Sequence, residues 1–107
     1  MTMRAVITGC GAYLPRKIVT NADLALTVET SDEWIIQRTG IKQRHIAGDD
    51  ETTSFMAAAA ARQALKAAGV EAKDVDGIIV ATTTPDLTFP GTATLVQNEI
   101  KSGHGAV

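Results

Sequence analysis

The sequence predicts an α/β layered fold, a mixed sheet with helices packed on it, from three observations. Two β-branched runs, Ala5 to Thr8 and Gly77 to Thr82, read as strands of a buried sheet. Helix-forming stretches alternate with them, the order expected of a sheet with some parallel pairs. With 45% hydrophobic residues but only four aromatics (Tyr13, Trp34, Phe55 and Phe89), the core must be aliphatic, and any exposed ring becomes informative.

The first predicted strand follows Arg4 and ends at Gly9 and Gly11. Asn21 is predicted to cap a short helix from Ala22 to about Val28, with Leu24 and Val28 one turn apart on its apolar side. Thr30 to Gly40 carries both ends of a second helix: T-x-x-E at its start, acids in its first turn, Arg38 in its last turn and a glycine just beyond. Ile41 to Ala47 (IKQRHIA) reads as an exposed or edge strand rich in positive charge.

Thr53 to Ala68 (TSFMAAAAARQALKAA) is a strong helix former stopped by Gly69. Its eight alanines between Ala57 and Ala68 let neighbours approach closely on more than one side. After the polar connector Glu71 to Asp76, the run Gly77 to Thr82 is continuous enough to be covered on both faces of a sheet. Thr82 to Thr84 leads into Pro85 and the loop DLTFPG, and Thr92 to about Lys101 forms a helix with Leu95, Val96 and Ile100 on its apolar face. Ala106 and Val107 are placed to begin another strand, so the 107 residues read as one unit interrupted in the middle of a fold.

Ten Lys and Arg against twelve Asp and Glu, a net charge of -2, give no bulk reason to bind nucleic acid or an anionic membrane surface. The N-terminal apolar run, broken by Gly9, Gly11 and Pro15, is too short for a secretory signal or a membrane span, and no other segment reaches that length. A single cysteine, Cys10, excludes an internal disulfide and a cysteine-based metal site, which together favour a reducing cytoplasm.

Gly9-Cys10-Gly11 lacks the third glycine of a dinucleotide-binding turn, and Pro15 forbids an immediate helix, so the pair reads as tight-turn glycines at a strand exit. Neither His45 nor His104 has a motif spacing to Cys10, which reads as a small, inert cysteine near the core. Trp34 and Arg38 stand at i and i+4, so indole and guanidinium project from one helix face. That spacing leaves two readings open: a sandwich for a planar ring such as adenine, or an intrahelical cation-π pair with the indole half-buried. Lys42, Arg44 and His45 are placed to supply charge for a phosphorylated ligand, or are merely solvated. Phe89 follows the most apolar strand, where α/β proteins place ligands; it reads as a plug on its own domain or as an intersubunit anchor.

In order, G-x-G-A-Y-L-P (Gly9 to Pro15), T-N-A-D-L (Thr20 to Leu24), T-S-D-E-W-I-x-x-R-T-G-I (Thr30 to Ile41), R-H-I-A (Arg44 to Ala47), the alanine-rich helix closing in A-G-V, and I-I-V-A-T-T-T followed by F-P closely resemble the amino-terminal part of the β-ketoacyl-[acyl carrier protein] synthase III family. The twelve-position T-S-D-E-W motif is the most specific element, because no general structural demand fixes such a string.

The resemblance implies a partial thiolase-like fold, with residues 1–107 the amino-terminal part of one incomplete domain that stops before the nucleophile-bearing strand-to-helix turn. It implies a cytoplasmic homodimer that initiates type II fatty acid synthesis by joining an acyl-CoA to malonyl-acyl carrier protein with loss of carbon dioxide. Acyl-CoA is a substrate, and no further cofactor or metal is implied. By resemblance, Thr30, Trp34 and Arg38 contact CoA, and Phe89 reaches across the dimer to the partner's acyl pocket. The family's catalytic Cys, His and Asn match no position here, so the segment alone is expected to be inactive. Two alternatives stand beside this reading: a related acyltransferase of polyketide or quinolone biosynthesis, and a non-catalytic CoA-binding module.

Overall fold

Contacts divide the chain into two units, Met1–Tyr13 with Glu51–Val107 and, separately, Leu14–Asp50, in a computed structural model that describes residues 2–103, 105 and 107. His104 and the strand start expected at Ala106 lie outside the described residues.

In the unit Leu14–Asp50, strand β1 (Lys17–Thr20) pairs antiparallel with β2 (Gln43–Ile46), Ile18 opposite His45 and Val19 opposite Arg44. The chain leaves β1 directly into helix α1 (Asn21–Ala25). The cap is Thr20, not Asn21. The Thr20 hydroxyl accepts from the Asp23 amide at 3.1 Å while the Asp23 carboxylate accepts from the Thr20 amide at 2.9 Å, a reciprocal capping box. These bonds hold the Asp23 carboxyl below the ordinary carboxylate range. The helix ends earlier than the predicted Val28, since Leu26 and Val28 are exposed and give a longer helix no apolar face to bury.

Helix α2 (Asp32–Thr39) starts at Ser31, whose hydroxyl accepts from the Trp34 amide, so the cap is one residue later than the T-x-x-E pattern predicts. It stops where predicted: Gly40 takes a left-handed conformation (φ 72°), and its amide bonds the Ile36 carbonyl. Ile35 is the buried residue of α2. The edge strand expected at 41–47 is present as β2.

In the other unit, helix α3 (Thr53–Ala68) has the predicted bounds, capped by the Thr52 hydroxyl and ended by Gly69 at φ 68°. Ala58 is fully buried with Val96 and Ile100 of helix α4 (Thr92–Ile100), and Ala57, Ala61, Leu65, Ile78 and Val80 pack around them. The adjacent face of α3 receives the N-terminal segment at backbone distance. A Cβ on Gly9 would lie 2.5 Å from the Ala64 carbonyl oxygen, and one on Gly11 would overlap the Ala60 carbonyl oxygen. The two glycines are therefore required by close approach and not by their turn geometry. Because side chains alternate along an extended segment, Cys10 between them faces away from α3 and is exposed, contrary to the core position expected for it.

The two predicted buried strands form no ladder among the described residues. Val6 and Ile7 are 69% and 90% exposed. Ile78 and Val80 pack on the core while Ile79 between them is 98% exposed, so this run is covered on one face and not on both. The β-branched composition fixes extended backbone, but a buried strand also needs neighbours on both edges and a layer on each face, which the described residues do not supply. A 3-10 turn (Ala72–Asp74) occupies the polar connector.

Candidate functional site

The geometry of α2 follows from what lies beneath it. Asn21 is fully buried and spends its whole amide: Nδ2 donates to Asp32 at 2.9 Å and to the Ile41 carbonyl at 2.8 Å, and Oδ1 accepts from Arg44 at 2.8 Å. Its backbone amide donates to the Lys42 carbonyl. One side chain thus ties α1, the first turn of α2 and β2 together, and a fully satisfied buried amide fixes their arrangement more sharply than apolar contact would. With Ile35 turned inward, Trp34 and Arg38 occupy the outer face of α2.

Trp34 is 53% exposed, and the Arg38 guanidinium carbon lies 4.8 Å from its ring centroid. A cleft of about 240 Å³ opens beside the indole, bordered by Glu29, Thr30, Ser31 and Trp34. The Thr30 hydroxyl is buried and has no hydrogen-bond partner among the described residues. An unpaired buried hydroxyl costs roughly 1–3 kcal/mol, which a ligand's polar atom would recover. Thr30 and Trp34 thus border one cleft and Arg38 lies over the indole, so a flat apolar face has an unused hydroxyl beside it and a planar cation on it.

The neighbouring cations are less available than their sequence position implies. Arg44 is held by Asn21 and by the Val19 carbonyl at 3.2 Å, and the His45 ring nitrogen Nδ1 lies 2.6 Å from the Pro15 carbonyl oxygen, to which it donates. Arg44 thus ties β2 to β1 and His45 ties β2 to the segment ahead of β1, which leaves Lys42 as the exposed cation of the three. Asn21 was not legible as a positioning residue. The signal was present in the T-x-x-D spacing of Thr20 and Asp23, which makes Thr20 the cap and frees the asparagine amide for tertiary bonds.

Phe89 belongs to the other unit and is 88% exposed, so it does not plug its own domain. Its loop is tied to the start of α3. The Asp86 carboxylate accepts from the Ser54 amide at 2.7 Å and the Ser54 hydroxyl at 2.5 Å, and the Thr84 carbonyl accepts from the Thr53 hydroxyl at 2.5 Å. Nearby, Tyr13 meets Phe55 edge to face at 5.5 Å and hydrogen-bonds the buried Glu51. Among the described residues there is no cluster of three His, Cys, Asp or Glu side chains suited to a metal ion, and no helix long and apolar enough to cross a membrane.

The backbone resembles about a third of the fold of the thiolase-like condensing enzymes. It superimposes on 3-oxoacyl-[acyl-carrier-protein] synthase III of Aquifex aeolicus with a TM-score of 0.86 at 50% identity, over 94% of this chain and 32% of that one. The priming β-ketosynthase of a polyketide biosynthetic pathway gives the same TM-score at 36% identity, over 94% of this chain and 30% of that one.

The particular condensing enzyme that the chain matches is β-ketoacyl-[acyl-carrier-protein] synthase III, to whose amino-terminal part it corresponds. It is 61% identical to the synthase III of Rhodospirillum centenum over 106 residues, 99% of this chain and 33% of that protein. Against that of Caulobacter vibrioides it is 65% identical over 98 residues, 92% of this chain and 30% of the relative. The chain thus spans about a third of the length of the relatives it matches. No protein-family model matches it.

Proposed function

We propose that this chain is the amino-terminal part of a β-ketoacyl-[acyl carrier protein] synthase III, within one thiolase-like domain, and that it holds the adenine of an acyl-CoA between Trp34 and Arg38. The observation that carries the reading is the facing indole and guanidinium on the outer side of α2, beside a cleft bordered by the unpaired Thr30 hydroxyl. The identity with synthase III sequences supports it. An indole face and a planar cation bind a purine through stacking and charge, with little demand on the rest of the ligand.

In the complete enzyme a cysteine thiolate attacks the thioester carbonyl of acyl-CoA and expels the CoA thiolate. Malonyl-acyl carrier protein then loses carbon dioxide, the resulting carbanion attacks the acyl-cysteine, and the cysteine thiolate leaves. Oxyanion donors stabilise the charge that develops. This segment contributes binding and not bond-making: Thr30, Trp34 and Arg38 orient the CoA, and Phe89 reaches the acyl pocket of a second copy in a homodimer. The setting is the cytoplasm, with no cofactor beyond the CoA substrate and no nucleic acid or membrane partner.

The likeness to a polyketide priming ketosynthase favours one second reading, the same condensation with a different acyl group and carrier protein. Incubating the full-length protein with acetyl-CoA and malonyl-acyl carrier protein separates the outcomes. Formation of acetoacetyl-acyl carrier protein with release of carbon dioxide is expected, and turnover confined to other acyl-CoA and carrier pairs would move the assignment to the second reading. Absence of condensation with any pair would overturn both.

A further inference from the structure

The loop that carries Phe89 is clamped at both ends. Behind it, α4 starts at the buried Thr92 and packs Val96 and Ile100 against Ala58 of α3. Ahead of it, Asp86 is gripped by Ser54, itself buried in the first turn of α3, through one amide and one hydroxyl hydrogen bond. Five residues, Leu87 to Gly91, bridge the two clamps.

Among the described residues the side-chain hydrogen bonds of this stretch are those of Asp86 alone, while Leu87 and Phe89 are exposed. Phe89 is 88% exposed, so little side-chain packing fixes its direction and the backbone of the anchored loop is what aims it. Asp86 is the anchor suited to this task. An ionised carboxylate at a helix start accepts charge-assisted bonds from a backbone amide and a hydroxyl, and the helix dipole favours the negative charge there. Thr53 and Thr84 add a second tie two residues upstream.

We propose that Asp86 is a positioning residue for Phe89: its capture by Ser54 at the start of α3 fixes the loop so that the ring projects in one direction, and so sets acyl-chain selectivity without touching the substrate. The proposal rests on the reading of Phe89 as an acyl-pocket residue. A loop freed at one end lets the ring wander by an ångström or more, enough to change which acyl chain is well placed for reaction.

The test compares kcat/KM for acetyl-CoA with that for a longer acyl-CoA in the full-length enzyme and its Asp86→Ala, Ser54→Ala, Ser54→Thr, Phe89→Ala and Asp86→Ala/Phe89→Ala variants. Asp86→Ala and Ser54→Ala are expected to shift the ratio by roughly threefold or more in the same direction as Phe89→Ala. Ser54→Thr, which keeps both donors, should retain the wild-type ratio, and the double variant should match Phe89→Ala alone. Asp86→Asn keeps an acceptor for the Ser54 amide and replaces the alanine variant should that one fail to fold, with a smaller shift in the same direction expected. A wild-type ratio in the Asp86 and Ser54 variants, with an altered one in Phe89→Ala, would overturn the positioning role and leave the reading of Phe89 intact. A wild-type ratio in Phe89→Ala would overturn that reading and the proposal with it.

Discussion

Arg38 lies across the face of Trp34, its guanidinium carbon 4.8 Å from the ring centroid, one helical turn away on the outer side of α2. The sequence left two readings of this pair open; the intrahelical cation-π pair is present, and the proposed adenine sandwich would require it to open. A planar ring inserted between two flat groups needs about 7 Å, twice the usual van der Waals separation, so the guanidinium must rotate off the indole to admit adenine. The contact it leaves is an exposed cation-π pair worth about 0.5–1 kcal/mol, a small cost against stacking on both sides of a purine.

Replacing Arg38 with alanine is accordingly expected to weaken acyl-CoA binding by roughly 1.5–3 kcal/mol through loss of a charge-assisted contact, with Trp34→Ala similar through lost stacking. Calorimetric titration of the full-length protein with acetyl-CoA measures both. Arg38→Lys should fall between wild type and alanine, because lysine keeps the charge but not the plane.

Asn21 gives a stability prediction of a different kind. Its buried amide makes three hydrogen bonds, one of them to a cation, and Asn21→Ala removes a partner from Asp32, from the Ile41 carbonyl and from Arg44, which keeps only its bond to the Val19 carbonyl. A loss of about 2–4 kcal/mol is expected in denaturant unfolding, with weaker CoA binding as a consequence of a displaced α2. Unchanged stability would show that these groups are rehydrated freely.

The glycines at 9 and 11 are predicted to tolerate no side chain. Gly11→Ala drives a methyl group against the Ala60 carbonyl oxygen, a backbone atom that cannot step aside, and Gly9→Ala does the same at Ala64. Each is expected to cost about 1–3 kcal/mol, the range of overpacking, although the glycines lie at the exit of an exposed segment. Thermal unfolding of the two variants is the check.

Much of this was legible in the sequence. Helix α3 has its predicted bounds because alanine propensity, a threonine cap and a C-terminal glycine all point the same way. The face shared by Trp34 and Arg38 follows from i,i+4 spacing. What could not be read was where apolar runs find partners. Ile79 and Ile7 have strand composition, yet a ladder depends on neighbours that local sequence does not specify, and both are exposed. Asn21, Arg44 and Asp86 were equally hidden, since their roles depend on bonds to residues 11 to 32 positions away.

Asp86 also carries a pH dependence. The Ser54 hydroxyl and amide hold its carboxyl below the ordinary carboxylate range. A folded pKa depressed below the unfolded value of about 3.9 contributes stability that is present above that value and is lost as pH falls through the lowered folded pKa. The Ser54 amide resonance should therefore stay constant from neutral pH to about pH 4 and shift only below it. In Asp86→Asn that acid step should vanish. Persistence of the step in the variant would assign it to another group.

Trp34, the single tryptophan of these 107 residues, reports on whether its indole and the Arg38 guanidinium hold the adenine of a CoA ester. Its fluorescence would be titrated with acetyl-CoA, with an adenine nucleotide and with pantetheine, in the wild type and in Arg38→Ala. Saturable quenching by acetyl-CoA and by the nucleotide is expected, none by pantetheine, with both quenching curves shifted to higher concentration in Arg38→Ala. Quenching by pantetheine alone, or curves that coincide in the two proteins, would contradict that hold on the adenine.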